Sequence, residues 1–264
     1  MSATTSNNLP LWVQDRETVI AASGDAQWRG NQAPDYAESV ENLKTESLKN
    51  HPAGSLEDLV QNLVRTFEME ASFKTNPDQW LSVVNEKFRM SSNGGEEFTA
   101  QDVSDGGTYN LFIGDMEQYK ASEETFESSG RLFRSAFPKG FLWEVLEVYS
   151  GPPNVTFKWR HWGTFNGPYK DYAPTGEVVE VIGMSLARVS DDLKVVSLEH
   201  YFDNTKFFDK LTSGGTISTH KPKNYLWGIW KKLWGSSEKP ATQQLASTGC
   251  PFKKLAAFTN GNGA

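Results

Sequence analysis

The chain has 264 residues, 38% of them hydrophobic and 12% aromatic, with nine Trp and sixteen Phe, enough to build a substantial core or line an apolar cavity. The net charge is −7, but from Gly214 onward seven Lys face one Glu, so a +6 tail follows a −13 body; an acidic body excludes a nucleic-acid-binding core, which needs clustered Lys and Arg. No apolar run reaches the ~18 residues of a membrane span, and the start MSATTSNNLPLWVQD lacks the basic and apolar regions of a secretory signal. One cysteine, Cys250, cannot form an intrachain disulfide, which suits a reducing, cytoplasmic compartment.

In chain order, residues 1–54 are rich in Ser, Asn, Pro and Gly and read as an N-terminal arm with a short helix near Ser39–Asn50. The main domain, 55–213, opens with a strong helix. Ser55 caps it, Asp58 follows as a capping-box partner, and Leu56, Leu59, Val60, Leu63, Val64 and Phe67 repeat at i, i+3, i+4, i+7, i+8, i+11. A second helix is expected over Asp115–Tyr119 or Glu123–Phe137. The texture then turns to β: strands at Phe141–Tyr149, Val155–Gly163, Val178–Val189 and Lys194–Phe202. A Gly151-Pro152-Pro153-Asn154 turn, an Asn166–Gly176 loop and an Asp191-Asp192 connection separate them. Helices first and a meander afterwards predict an α+β fold, helices covering one face of a curved antiparallel sheet. Residues 214–264 read as a flexible basic tail. In it Asn224–Gly235 puts Trp227, Trp230 and Trp234 at helical spacing beside Lys231 and Lys232. This segment is expected to dock on the protein itself, contact with a membrane interface being the alternative.

Several motifs occur in a recognisable order: Gln27-Trp-Arg29, Phe67-Glu-Met-Glu70, Ala136-Phe-Pro-Lys-Gly140, Val148-Tyr-Ser-Gly-Pro-Pro153, Phe157-Lys-Trp-Arg-His-Trp-Gly163, Ala173-Pro-Thr-Gly-Glu177 and Leu198-Glu-His-Tyr-Phe-Asp203. Together they resemble the SnoaL-like branch of the NTF2-like fold, and within it the plant and fungal pathogen-related subgroup, over about residues 25–210. The resemblance implies a cone with an internal pocket, no metal and no organic cofactor, and a homodimer formed through the exposed sheet face. It also implies a range of functions: polyketide cyclases, lactone-forming and epoxide-opening enzymes, or binding proteins without catalysis. Fold alone does not choose among them.

Four polar positions interrupt apolar faces. Glu70 lies within the helix stripe of Leu56, Leu63 and Phe67, whereas Glu68 lies about 110° from its centre at the helical 100° per residue. Desolvation would suit Glu70 to acid/base work, unless Lys74, one turn on, pairs with it. His161 shares a strand face with Phe157 and Trp159 and either moves a proton in a pocket or is satisfied by backbone. Glu180 shares a face with Ile182, Met184 and Leu186, with a salt bridge to Arg160 or Arg188 as the alternative. Asp203 closes the last strand. By the resemblance it is the acid/base, although Asp203-Asn204-Thr205 can equally cap a turn. The expected catalytic set is therefore Asp203, His161, Glu70 and Glu180, with Tyr201, Trp159, Phe67 and Met184 binding a small, polyketide-like substrate. Cys250 is an unlikely nucleophile, lying in the tail with no base in view.

Overall fold

The computed structural model describes residues 9–217; the Trp-rich segment and Cys250 lie outside the described residues. In chain order the elements are α1 (Arg16–Ala21), α2 (Ala37–Glu46), α3 (Leu56–Phe73), β1 (Arg89–Ser92), α4 (Ala100–Gly106), α5 (Thr108–Ile113), α6 (Phe126–Ala136), β2 (Leu142–Ser150), β3 (Asn154–Thr164), β4 (Val178–Val189), β5 (Val195–Phe202) and α7 (Thr205–Thr212). The four expected strands and the helix from Ser55 are present, and the fold is α+β. The second helix is α6; Asp115–Tyr119 is not helical.

The sheet departs from expectation in one respect. It has five strands in the order β1-β5-β4-β3-β2, and β1 runs parallel to β5, so it is mixed rather than purely antiparallel. β1 is only four residues long and pairs about a hundred positions downstream, too short and too distant for alternation to reveal it. β2, β3, β4 and β5 form the antiparallel meander.

α3 is held at its start by Ser55, whose Oγ accepts from the Asp58 N–H at 3.3 Å, and by Asp58, whose carboxylate accepts from the Gly54 N–H at 2.8 Å. Its apolar stripe of Val60, Leu63 and Phe67 is buried against the inner face of the sheet. The N-terminal segment joins this packing: Val13 and Val19 are buried, and Trp12 donates from Nε1 to the Asp192 carbonyl at 3.0 Å.

Which face of each strand turns inward decides the site. Along β4 burial alternates strictly over twelve residues, with Val179, Val181, Gly183, Ser185, Ala187 and Val189 inside. Cross-strand pairing carries the same parity to its neighbours: Trp159 opposite Gly183, His161 opposite Val181, and His200 opposite Ser185. Glu180, Ile182, Met184, Leu186 and Tyr201 therefore share the outer face. Residues 46–49 cover its β2–β3 part. There the Leu48 and Lys49 N–H groups donate to buried Glu144, and Arg160 binds Glu144, Glu180 and the Glu46 carbonyl. The β4–β5 part is uncovered, leaving Ile182, Met184, Leu186 and Tyr201 more than 40% exposed.

Candidate functional site

Between α3, α5 and the inner face of the sheet lies a cavity of about 160 Å³. Its walls are mostly aromatic: Phe67 from α3, Tyr109 and Phe112 from α5, and Trp143, Trp159 and Phe202 from the strands. Three titratable groups other than Tyr109 face it: Glu68, His161 and His200. A larger depression of about 650 Å³ surrounds Arg29 and Glu127, but the one cation on its wall is already engaged. Arg29 stacks 3.6 Å over Phe126, pairs with Glu127 at 3.1 Å and donates to the Ser104 carbonyl.

His161 projects inward from β3 with Trp159, as alternation predicts, and lies face to face with Phe141 at a ring-centroid distance of 4.0 Å. Burial holds its pKa down to about 3, so the ring is neutral near pH 7. Among the described residues Nδ1 is buried without a hydrogen-bond partner, and Nε2 stands 3.9 Å from Glu68 Oε1. That gap is longer than a hydrogen bond but short enough for a proton to pass once a ligand draws the groups together.

Glu68 is the carboxyl of the cavity. Burial raises its pKa, and the Arg16 and Arg65 guanidiniums partly offset the rise. Neither arginine pairs with it directly: Arg16 lies flat on Tyr36 at 3.2 Å, and Arg65 donates to the Trp143 carbonyl at 2.9 Å. Burial therefore favours its protonated form more than in a free carboxyl.

Glu70 has a different role from the expected one. It is wholly buried and fully engaged, accepting from Lys74 Nζ at 2.9 Å, from the Leu81 and Ser82 N–H groups at 2.7 and 3.0 Å, and from Ser82 Oγ at 2.6 Å. It ties α3 to the following loop and does not reach the cavity. The core stripe marks where packing is densest, whereas a cavity opens at its edge, which is where Glu68 sits.

The remaining expectations divide by strand face. Phe67 and Trp159 line the cavity. Met184 and Tyr201 are on the outer face, Tyr201 donating to Glu199 at 2.8 Å. Glu180 is there too, paired with Arg160 at 2.8 Å, the alternative left open for it. Asp203 is exposed and outside the cavity. Its Oδ1 accepts from the Thr205 N–H at 2.8 Å, which holds its pKa below the usual carboxylate range and starts α7.

His200 is the functional candidate that sequence reasoning passed over. It stands between Glu199 and Tyr201 on β5 and so has the opposite parity, the same argument that turned His161 inward. Its Nδ1 lies 2.7 Å from Ser185 Oγ, which also accepts from Trp159 Nε1 at 2.7 Å. Burial lowers its pKa to about 4, and its Nε2 has no partner among the described residues. The site is thus an aromatic chamber with Glu68 beside a neutral His161 and a second neutral imidazole on its wall. Among the described residues no group of three or more His, Cys, Asp or Glu side chains is placed to hold a metal ion.

No family model matches the chain. Among solved structures, a candidate SnoaL-like polyketide cyclase from Jannaschia sp. CCS1 is 16% identical, with 63% of this chain and all of that one covered and a TM-score of 0.34. IdmH, a candidate polyketide cyclase from Streptomyces antibioticus, is 14% identical over 57% and 96% of the two chains at a TM-score of 0.35. An NTF2-like protein from Burkholderia thailandensis is 12% identical over 56% and 94% at 0.34. In sequence, a pathogen-related protein of Hordeum vulgare is 36% identical over 187 residues, covering 68% of this chain and 80% of that protein. At that identity and coverage, the chain belongs to the pathogen-related protein family.

Proposed function

We propose that the protein is a cofactor-independent cyclase of secondary metabolism, closing a lactone, pyrone or aldol-type ring in a polyketide-like substrate by acid/base catalysis. The observation that carries this reading is the pair formed by His161 and Glu68: a neutral imidazole 3.9 Å from a carboxyl of raised pKa, inside an aromatic chamber. Glu68, when ionised, takes the proton of an enol or an acidic C–H and returns it to the leaving or newly formed group, while the neutral His161 ring, too weak a base to keep a proton at pH 7, positions the carboxyl. The aromatic walls fold the chain so that its reacting ends meet, supplying the proximity that ring closure needs. Asp203, Glu70 and Glu180 have no part in this scheme, because each is committed outside the cavity.

The uncovered row of Ile182, Met184, Leu186 and Tyr201 supports a homodimer formed through the outer sheet face. The single cysteine supports a cytoplasmic setting, and no helix among the described residues is long and apolar enough to cross a membrane.

A thioester of 3,5-dioxohexanoate tests the activity. Its enol oxygen at C5 attacks C1, a C–O bond forms, the C–S bond breaks, and the thiol leaves with the enol proton that Glu68 has carried. Pyrone formation followed by absorbance should fall roughly 10²–10⁴-fold in His161→Phe and Glu68→Gln, the usual worth of a general acid or base. Equal rates with and without the wild-type protein overturn the cyclase reading and leave a small-molecule-binding protein.

A further inference from the structure

Ser185, on β4, receives one hydrogen bond and must place another. Trp159 Nε1 is an obligatory donor, so at 2.7 Å it fills an acceptor site on Ser185 Oγ. The hydroxyl has one proton of its own, and among the described residues the only other partner within hydrogen-bonding distance is His200 Nδ1 at 2.7 Å. The relay therefore runs in one direction: Trp159 N–H to Ser185 oxygen, Ser185 O–H to His200 Nδ1. With Nδ1 an acceptor, the proton of the neutral ring resides on Nε2. That N–H is buried, has no acceptor among the described residues, and belongs to a ring on the cavity wall. Leaving such a donor unsatisfied costs free energy that an incoming acceptor recovers.

We infer that His200 is the carbonyl- and oxyanion-binding residue of the cavity, donating from Nε2, with Ser185 and Trp159 as positioning residues that fix its tautomer. The ligand class that follows is a neutral, compact carbonyl compound: a ketone, ester or thioester presenting one oxygen to His200. A neutral imidazole serves as such an electrophile because it enters the reaction uncharged and gains from charge developing on the oxygen. A depressed pKa of about 4 keeps it in that state throughout the neutral range. A cavity of about 160 Å³ accommodates one ring's worth of ligand, since a cavity of about 150 Å³ holds a benzene. No cation among the cavity's wall residues invites an anionic head group. This inference rests on the same cavity as the proposed cyclase but does not need turnover.

Acetophenone and propylbenzene are probes of equal heavy-atom count that differ by the carbonyl. Calorimetric titration of wild-type protein should show about a tenfold preference for the ketone, the worth of one hydrogen bond. In His200→Phe the preference should vanish while propylbenzene binds as before. The infrared stretch of carbonyl-labelled acetophenone should lie lower in wild type than in His200→Phe, and Ser185→Ala should lose part of that displacement. Nitrogen-15 shifts of His200 should report the Nε2–H form in wild type and a tautomer mixture in Ser185→Ala. Equal affinity for the two probes, an unshifted carbonyl stretch, or a His200 proton on Nδ1 in the wild type overturns the inference. A retained ketone preference without ring closure sinks only the cyclase reading, and ring closure unaffected by His200→Phe sinks only this one.

Discussion

Gly183 and Trp159 face each other across β4 and β3 at a separation that admits no side chain: a Cβ on Gly183 would stand 2.3 Å from Trp159 Cζ2. The indole lies across the strand because the glycine lets it, and in that position Nε1 reaches Ser185. The glycine's value here is space, since its backbone is not in the left-handed region.

Gly183→Ala should therefore displace Trp159. Overpacking of this kind costs about 1–3 kcal/mol, readable as a lower denaturant midpoint with an unchanged slope. The same variant should lose the carbonyl preference of the cavity, because the relay to His200 begins at Trp159. Gly183→Ala with unchanged stability and unchanged ligand selectivity would show that the indole has room to move.

Glu68 and Glu70 should respond oppositely to mutation. Glu70→Ala strands Lys74, which is 1% exposed, and should cost about 3–5 kcal/mol, as breaking a buried ion pair does. Glu68→Gln should change stability little and activity greatly. Paired urea melts and rate assays distinguish the roles, and similar stability losses in both would contradict them.

Acid should weaken the fold before its carboxylates are fully protonated. His161 and His200 have folded pKa values of about 3 and 4, below the ordinary value near 6.5 that an unfolded histidine has. Between those limits the unfolded chain binds more protons, so stability present above pH 6.5 is lost as pH falls toward 4 and then 3. Each ring contributes at most about 1.4 kcal/mol per pH unit. Glu68, with its raised pKa, acts in the opposite sense, its contribution growing as pH falls. Urea melts at pH 7 and pH 5 should show the loss, and His200→Gln should flatten it. An unchanged midpoint across that range would mean that the rings protonate in place.

Ile182→Lys or Met184→Lys should abolish the proposed dimer at micromolar concentration while leaving the melting temperature of the monomer nearly unchanged, since both side chains are more than 40% exposed. Sedimentation velocity reads this directly. A monomeric wild-type protein would remove the basis for the variant.

The four strands of the meander, the first long helix and the shared face of Trp159 and His161 were legible because each depends on a local period. Besides the short β1, two things were not. On α3 the stripe from Leu56 to Phe67 identifies the packed face, but a cavity begins where packing stops, so Glu68 at its margin was undervalued and Glu70 overvalued. On β4 the larger apolar residues, Ile182, Met184 and Leu186, face outward, while small ones, Gly183, Ser185 and Ala187, line the interior. A strand bearing a bulky aromatic neighbour needs small residues inside, which inverts the usual reading of hydrophobic alternation. His200 followed from the parity that exposes Tyr201, once that parity was known.

The buried bonds of Glu70 have an effect two residues away. Helix α3 is an axle, and Glu70, locked to Lys74, Leu81 and Ser82, is the key that stops it turning. Glu68 lies about 200° around the same axle at 100° per residue, so the clamp on one side sets the bearing of the acid on the other. The angular precision of the site is thus supplied from outside it, which frees Glu68 from bonds that would fix it in place and quench its exchange of protons.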